Sequence, residues 1–232
     1  MDTSIFIQEL KLLGGSARAL QDARYHKSVR EHWGVPVPTC AELVKKYSKD
    51  RECETLLSFA KDLWDTDLFD PMMCSAKILT LSKIKPSKNL WQLILHCLQR
   101  VDGWALQDCL AHAAWKCILA DASLLDELDQ WTRLPSLWMR RGALVYTLPF
   151  AKKDRCPERM LGWASVYATD SEWFIQKAIG WWLRVLGEHN PERVVLFLNK
   201  HWDQLKGVAR KEATRKLPHE WQKKVVGHGS FI

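Results

Sequence analysis

A helical pattern that returns about every 35 residues limits the fold of this chain more than any other feature. Ser-Leu-Trp-Met-Arg-Arg-Gly-Ala (136–143) lies over Glu-Trp-Phe-Ile-Gln-Lys-Ala-Ile (172–179) at an offset of 36. Arg210-Lys211 follows Gln176-Lys177 at 34, and Asp108 precedes Arg141 by 33. An offset of this size holds two short helices with their turns, so it predicts stacked helical hairpins. Apolar residues recur at helical spacing nearly throughout, and strand-like alternation is scarce. Predicted helices run from 4–13 to 217–224, with 16–30, 104–119, 136–149, 171–188 and 205–216 among them. Ser171 and Asn190-Pro191 read as helix starts.

The expectation is one domain over 1–232: an all-α, right-handed superhelical stack of HEAT-like helical-hairpin repeats. In such a stack the second helix of each pair lines the concave side. Asp108, Arg141, Lys177 and Lys211 then fall in register along a basic groove. Apolar residues make up 47% of the 232, which supports a continuous core and argues against disorder. Net charge is +7, and 200–224 carries eight Lys/Arg against three acids. A polyanion such as nucleic acid suits that tail, and a plain solvated surface suits it equally.

Trp104 and Asp108 are four apart and share one helix face. The apolar stripe of that helix is Leu106, Leu110, Ala113 and Cys117, with Cys109 and Ile118 beside it. Its centre lies roughly opposite Trp104, so the ring and the acid point away from the packed side. Trp181 sits at the polar edge of 174–184, and the helical phase puts Trp182 on the apolar side. Exposed aromatics beside a carboxylate on a basic protein suit a cationic or π-faced ligand. Arg141 falls among Leu137, Leu144 and Val145, where a guanidinium needs an anion. Phosphate and the carboxylate of Asp108 are the two candidates.

Seven cysteines without framework spacing read as reduced thiols of a cytoplasmic protein. No signal peptide or membrane span is expected. Cys109, His112 and Cys117 lie on one helix but make no four-ligand pattern, and His96 and His228 have no identifiable partners. There is no Gly-rich phosphate loop. Neither a metal nor an organic cofactor is inferred.

Several segments together resemble one family: Phe-Ile-Gln-Lys-Ala-Ile-Gly-Trp (174–181) with Leu183-Arg184, Leu-Trp-Met-Arg-Arg (137–141), Trp104-x-x-x-Asp108, Asp-Leu-Trp-Asp (62–65) and Ala-Arg-Tyr (23–25). Over its whole length the chain resembles the bacterial AlkD-type DNA glycosylases, which excise alkylated purines. The resemblance implies a curved stack of HEAT-like repeats cradling duplex DNA. It implies that Asp108 is the catalytic aspartate and that Trp104 and Trp181 flank the lesion nucleotide. Arg141 matches the arginine that holds the DNA backbone, and Tyr25 an aromatic that contacts DNA near the lesion. Lys177, Arg184 and Lys211 are further expected DNA contacts. The stretch Val101-Asp102-Gly103 ahead of Trp104 has diverged from the family pattern. The expected partner is double-stranded DNA containing alkylated purines, met by a nucleoid-associated monomer. The alternative is a HEAT-like scaffold without catalytic activity that binds DNA or protein. An ion pair with Arg141, rather than catalysis, is the competing role for Asp108.

Overall fold

The computed structural model describes residues 2–152 and 154–226; His228 lies outside them. The described residues contain helices and turns and no strand. The chain groups into two compact units, Met1–Asp121 and Ala122–Ile232. The first holds α1 (Thr3–Leu12), α2 (Ser16–His26), α3 (Val37–Ser48), α4 (Cys53–Asp65), α5 (Phe69–Thr80), α6 (Lys88–Leu98) and α7 (Trp104–Ala120). The second holds α8 (Leu124–Trp131), α9 (Leu137–Val145), α10 (Leu148–Lys152), α11 (Glu158–Val166), a 3-10 turn (Tyr167–Thr169), α12 (Trp173–Gly187), α13 (Pro191–His201), α14 (Gly207–Thr214) and α15 (His219–Gln222).

Alternate helices form layers. In the first unit α5 packs between α3 and α7, while α4 and α6 pack on each other and on α5 and α7. In the second, α12 packs between α9 and α14, with α13 against it. This is the arrangement that stacked hairpins produce. Helix α5 is buried almost all round from Phe69 to Ala76, as a helix with apolar residues on every side must be. Trp64, Phe59, Leu63 and Met72 are core residues here. Each such side chain contributes about 1.5–3 kcal/mol by leaving water.

The 35-residue period also appears as hydrogen bonds. Lys83 Nζ donates to the Ser48 carbonyl at 2.8 Å, which ends α3. Lys116 Nζ donates to the carbonyls of Thr80 and Leu81, at 2.9 and 2.7 Å, where α5 ends. Lys206 Nζ reaches Ser171 O at 2.5 Å. The two helix-end lysines supply donors to carbonyls that have no helical partner, and their charge suits the negative end of the helix. Burial holds the Lys116 ammonium below its ordinary pKa.

Three expected boundaries move. Helix 16–30 stops at His26, because Lys27 turns left-handed (φ 55°) and its N–H caps Ala23. Helix 136–149 breaks after Val145, since Pro149 has no N–H and its ring blocks the Val145 carbonyl. Ser171 is not a cap: α12 starts at Trp173, and Asp170 Oδ1 accepts the Glu172 N–H at 2.8 Å instead. Asn190 does cap α13, accepting from Arg193 N at 3.2 Å, with Pro191 at the first helical position. All seven cysteines are free, and burial pushes the Cys97 thiol up. His96, without an identifiable partner in the sequence, lies 2.6 Å from Asp65 through Nε2. Among the described residues no helix is long and apolar enough to cross a membrane.

Candidate functional site

Helix α7 buries Leu106, Leu110, Ala113, Cys117 and Ile118 and leaves Trp104 and Asp108 half-buried on the other face. Cys109, at the edge of the stripe, sits 3.3 Å from the Met73 sulfur. Gly103 begins the helix in extended conformation. A Cβ there would stand 3.1 Å from the His26 carbonyl oxygen, so the end of α2 approaches the start of α7 closely. That approach sets Tyr25 edge-on to Trp104, with ring centres 5.2 Å apart and planes at 89°. The His26 ring lies 5.8 Å from Trp104. Tyr25, His26, Trp104 and Asp108 line one cleft of about 660 Å3, with Lys77, His112 and Lys116 farther along it. Three of the expected site residues, Tyr25, Trp104 and Asp108, therefore meet.

Two carboxylates hold the wall of this cleft. Asp102 Oδ2 accepts from Ser28 Oγ at 2.7 Å and from Val29 N at 3.0 Å, and Asp102 ion-pairs with Arg30. Arg30 also donates to Asp67 Oδ1 at 2.9 Å and to the Arg100 carbonyl. Buried Asp70 accepts from Trp33 N and Val35 N, at 2.7 and 2.9 Å. The segment 28–35 is thus pinned to the turn before α5, to the first turn of α5 and to the turn before α7. In the sequence Asp102 is only part of the diverged stretch ahead of Trp104, and Arg30 belongs to no motif. Their contacts span about 70 residues, and no local pattern signals them.

In the second unit Arg141 is buried in α9, with its guanidinium carbon 6.0 Å from the Trp138 ring centre. Arg140 faces elsewhere and pairs with Asp170 at 2.6 Å. Trp182 is fully buried and Trp181 half-buried, as the helical phase requires. Much of the 174–181 motif is scaffold. Gln176 is buried, donates to the carbonyls of Tyr167, Ala168 and Asp170, and accepts from Lys206 N at 2.8 Å. A Cβ on Gly180 would stand 2.7 Å from both Ala209 O and Glu212 Cβ, so α12 and α14 nearly touch.

That closeness brings Lys177 and Arg184 together onto buried Glu212, with Arg215 3.3 Å away. Burial raises the Glu212 pKa, but the hydrogen bonds and charges of Lys177 and Arg184 outweigh it and leave the acid below its ordinary value. Lys177 keeps a third of its side chain exposed, Arg184 much less, and Lys211 is exposed. Arg141, Lys177 and Lys211 occupy successive helices of one layer, α9, α12 and α14.

A family model described as DNA alkylation repair enzyme matches residues 6–217. A solved structure titled predicted DNA alkylation repair enzyme from Enterococcus faecalis is similar at a TM-score of 0.77. It is 19% identical, over 89% of this chain and 97% of that one. AlkD2 from Streptococcus mutans is similar at 0.60 and 19% identity, over 85% and 98%. The smu.31 structure from the same species is similar at 0.59 and 18%, over 78% and 93%. No protein among the curated sequences matches significantly.

Proposed function

The chain belongs to the DNA alkylation repair enzyme family, and from that premise we propose that it is a monofunctional DNA glycosylase. It hydrolyses the N-glycosidic bond of N3- or N7-alkylated purines in duplex DNA. The observation that carries this reading is the shared cleft: an acid, Asp108, beside Trp104 and Tyr25 on a wall pinned by Asp102 and Arg30.

The chemistry fits those residue types. A purine alkylated at N3 or N7 is cationic and departs neutral, so its leaving group needs little protonation. The demand is to stabilise positive charge growing on the sugar as the bond stretches. An ionised Asp108 near C1′ does that electrostatically and orients the attacking water. The faces of Trp104 and Trp181 add about 0.5–2 kcal/mol each toward a cationic base or sugar. In this reading the lesion need not be flipped from the stack. Arg141, Tyr25, Lys177, Arg184 and Lys211 contact DNA, mainly at phosphates. Lys177 and Arg184 serve Glu212 as well, and the two cations beside one acid leave positive charge over for a phosphate.

The test is incubation with duplex DNA containing 7-methylguanine, followed by alkali to cleave abasic sites. Strand cleavage at the lesion is expected. Tight binding without cleavage, across a panel of alkyl lesions, would instead establish the scaffold role.

A further inference from the structure

Two histidines of the first unit form a chain across the cleft wall. His26 ends α2 and lines the cleft with Trp104 and Asp108. His32 lines a different cavity of about 640 Å3, together with Arg30, Glu31 and Trp33. The two rings bridge these spaces. His26 Nδ1 lies 3.2 Å from His32 Nε2, and His32 Nδ1 lies 2.8 Å from the Arg30 carbonyl oxygen. Both rings stack on Phe69, with centres 4.5 and 3.9 Å away.

With both rings neutral, hydrogen-bond chemistry sets the direction of this chain. A carbonyl oxygen only accepts, so His32 Nδ1 carries a hydrogen. In the neutral ring His32 Nε2 is then a lone pair, and His26 Nδ1 must be the donor between the rings. That leaves the lone pair of a neutral His26 on Nε2, on a ring that borders the cleft. Burial first, and then the charge of His32, hold His26 below its ordinary pKa. The other charged groups facing it are Asp22 and Arg18 on α2 and Asp70 on α5.

We propose that His26 is the catalytic proton acceptor for the attacking water and His32 its positioning partner, a relay from the cleft to the second cavity. The proposal rests on the glycosylase reading. The water oxygen bonds to C1′ as the C1′–N bond breaks, and that electron pair leaves on the purine nitrogen. The water proton goes to His26 Nε2. The Nδ1 hydrogen of His26 crosses to His32 Nε2, and the positive charge rests on His32, steadied by the Arg30 carbonyl until a proton leaves to solvent. Asp108 stays ionised throughout. A carboxylate that keeps its charge stabilises the sugar better than one that must take the proton.

The test is single-turnover excision of 7-methylguanine from about pH 5 to 8 for wild type, His26→Phe and His32→Phe, with melting temperatures on the same samples. Phenylalanine keeps the stack on Phe69 and removes the nitrogens. Wild-type rates should fall on the acid side, because only neutral His26 accepts a proton, with a midpoint below the ordinary histidine value. His26→Phe should flatten that limb and slow excision by about 10–100-fold, modest for a general base because the cationic purine leaves readily. His32→Phe should keep the limb, shift its midpoint upward and slow excision less. Nitrogen NMR of the rings should show His26 with hydrogen on Nδ1 and a bare Nε2. Variants that melt lower yet keep the wild-type rate and acid limb overturn the relay and leave the glycosylase reading intact. A bare Nδ1 on His26 also overturns it. Wild-type protein that binds the duplex without excision overturns both.

Discussion

Replacing Glu212 by Gln keeps the shape of the side chain and removes one buried negative charge. The acid is 5% exposed and faces Lys177, Arg184 and Arg215. Breaking a buried ion pair from one side costs about 3–5 kcal/mol. Lys177 and Arg215, with 35% and 56% of their side chains exposed, can turn to water, whereas Arg184 at 14% cannot. The cost therefore falls mainly on Arg184, and we expect about 2–3 kcal/mol. For a chain of this length that lowers the melting temperature by about 4–12 °C. The pH dependence has a definite sign. The folded Glu212 pKa is depressed, so its contribution is full above the unfolded value and is lost as pH falls through the folded one. The gap between wild type and Glu212→Gln, read by urea unfolding, should be widest near pH 7, shrink once pH falls below the ordinary glutamate value and close only below the folded one. A gap under about 0.5 kcal/mol at pH 7, or one that does not change with pH, refutes the reasoning. The same variant should bind duplex DNA more tightly at low salt if Lys177 and Arg184 also meet phosphates.

Asp102→Ala removes the acceptor for Ser28, Val29 and Arg30 together, and should cost about 2–4 kcal/mol in thermal unfolding. It should also slow excision, because the wall carrying Tyr25 and His26 is no longer held to α7. Arg141→Ala should weaken DNA binding alike for all sequences and reduce the salt slope by about 0.9, as binding titrations over a range of salt would show. Trp104→Ala and Trp181→Ala should each slow single-turnover excision by about 2–30-fold, with the smaller effects on lesions that depurinate readily.

The repeat was legible because it is carried by side chains at fixed spacing. The same period reappears as Lys116 on Thr80 and Lys177 on Glu212, each about 35 residues apart. Helical phase separated Trp181 from Trp182 and Arg140 from Arg141, since burial follows the 3.6-residue turn. Segment 27–36 was not legible. Its helical periodicity runs on past His26, but the chain leaves the helix at Lys27 to meet Asp102 and Asp70, and those partners lie far away in sequence. The basic register was legible as charge but not as pairing: Glu212, which binds two of the expected DNA contacts, read only as one of three acids among eight Lys/Arg. The His26–His32 chain left no sequence signal, because the hydrogen bond depends on the loop that brings the rings together.

The most direct measurement of the central claim is single-turnover excision of 7-methylguanine by Asp108→Asn, with binding to an uncleavable analogue and melting temperature taken on the same protein. Asparagine keeps the shape and removes the charge. If Asp108 stabilises the oxocarbenium-like sugar, excision should fall by about 10–1000-fold, or about 1.4–4 kcal/mol, while binding changes little. Wild-type excision by an Asp108→Asn protein, whether or not it melts lower, would contradict the catalytic role.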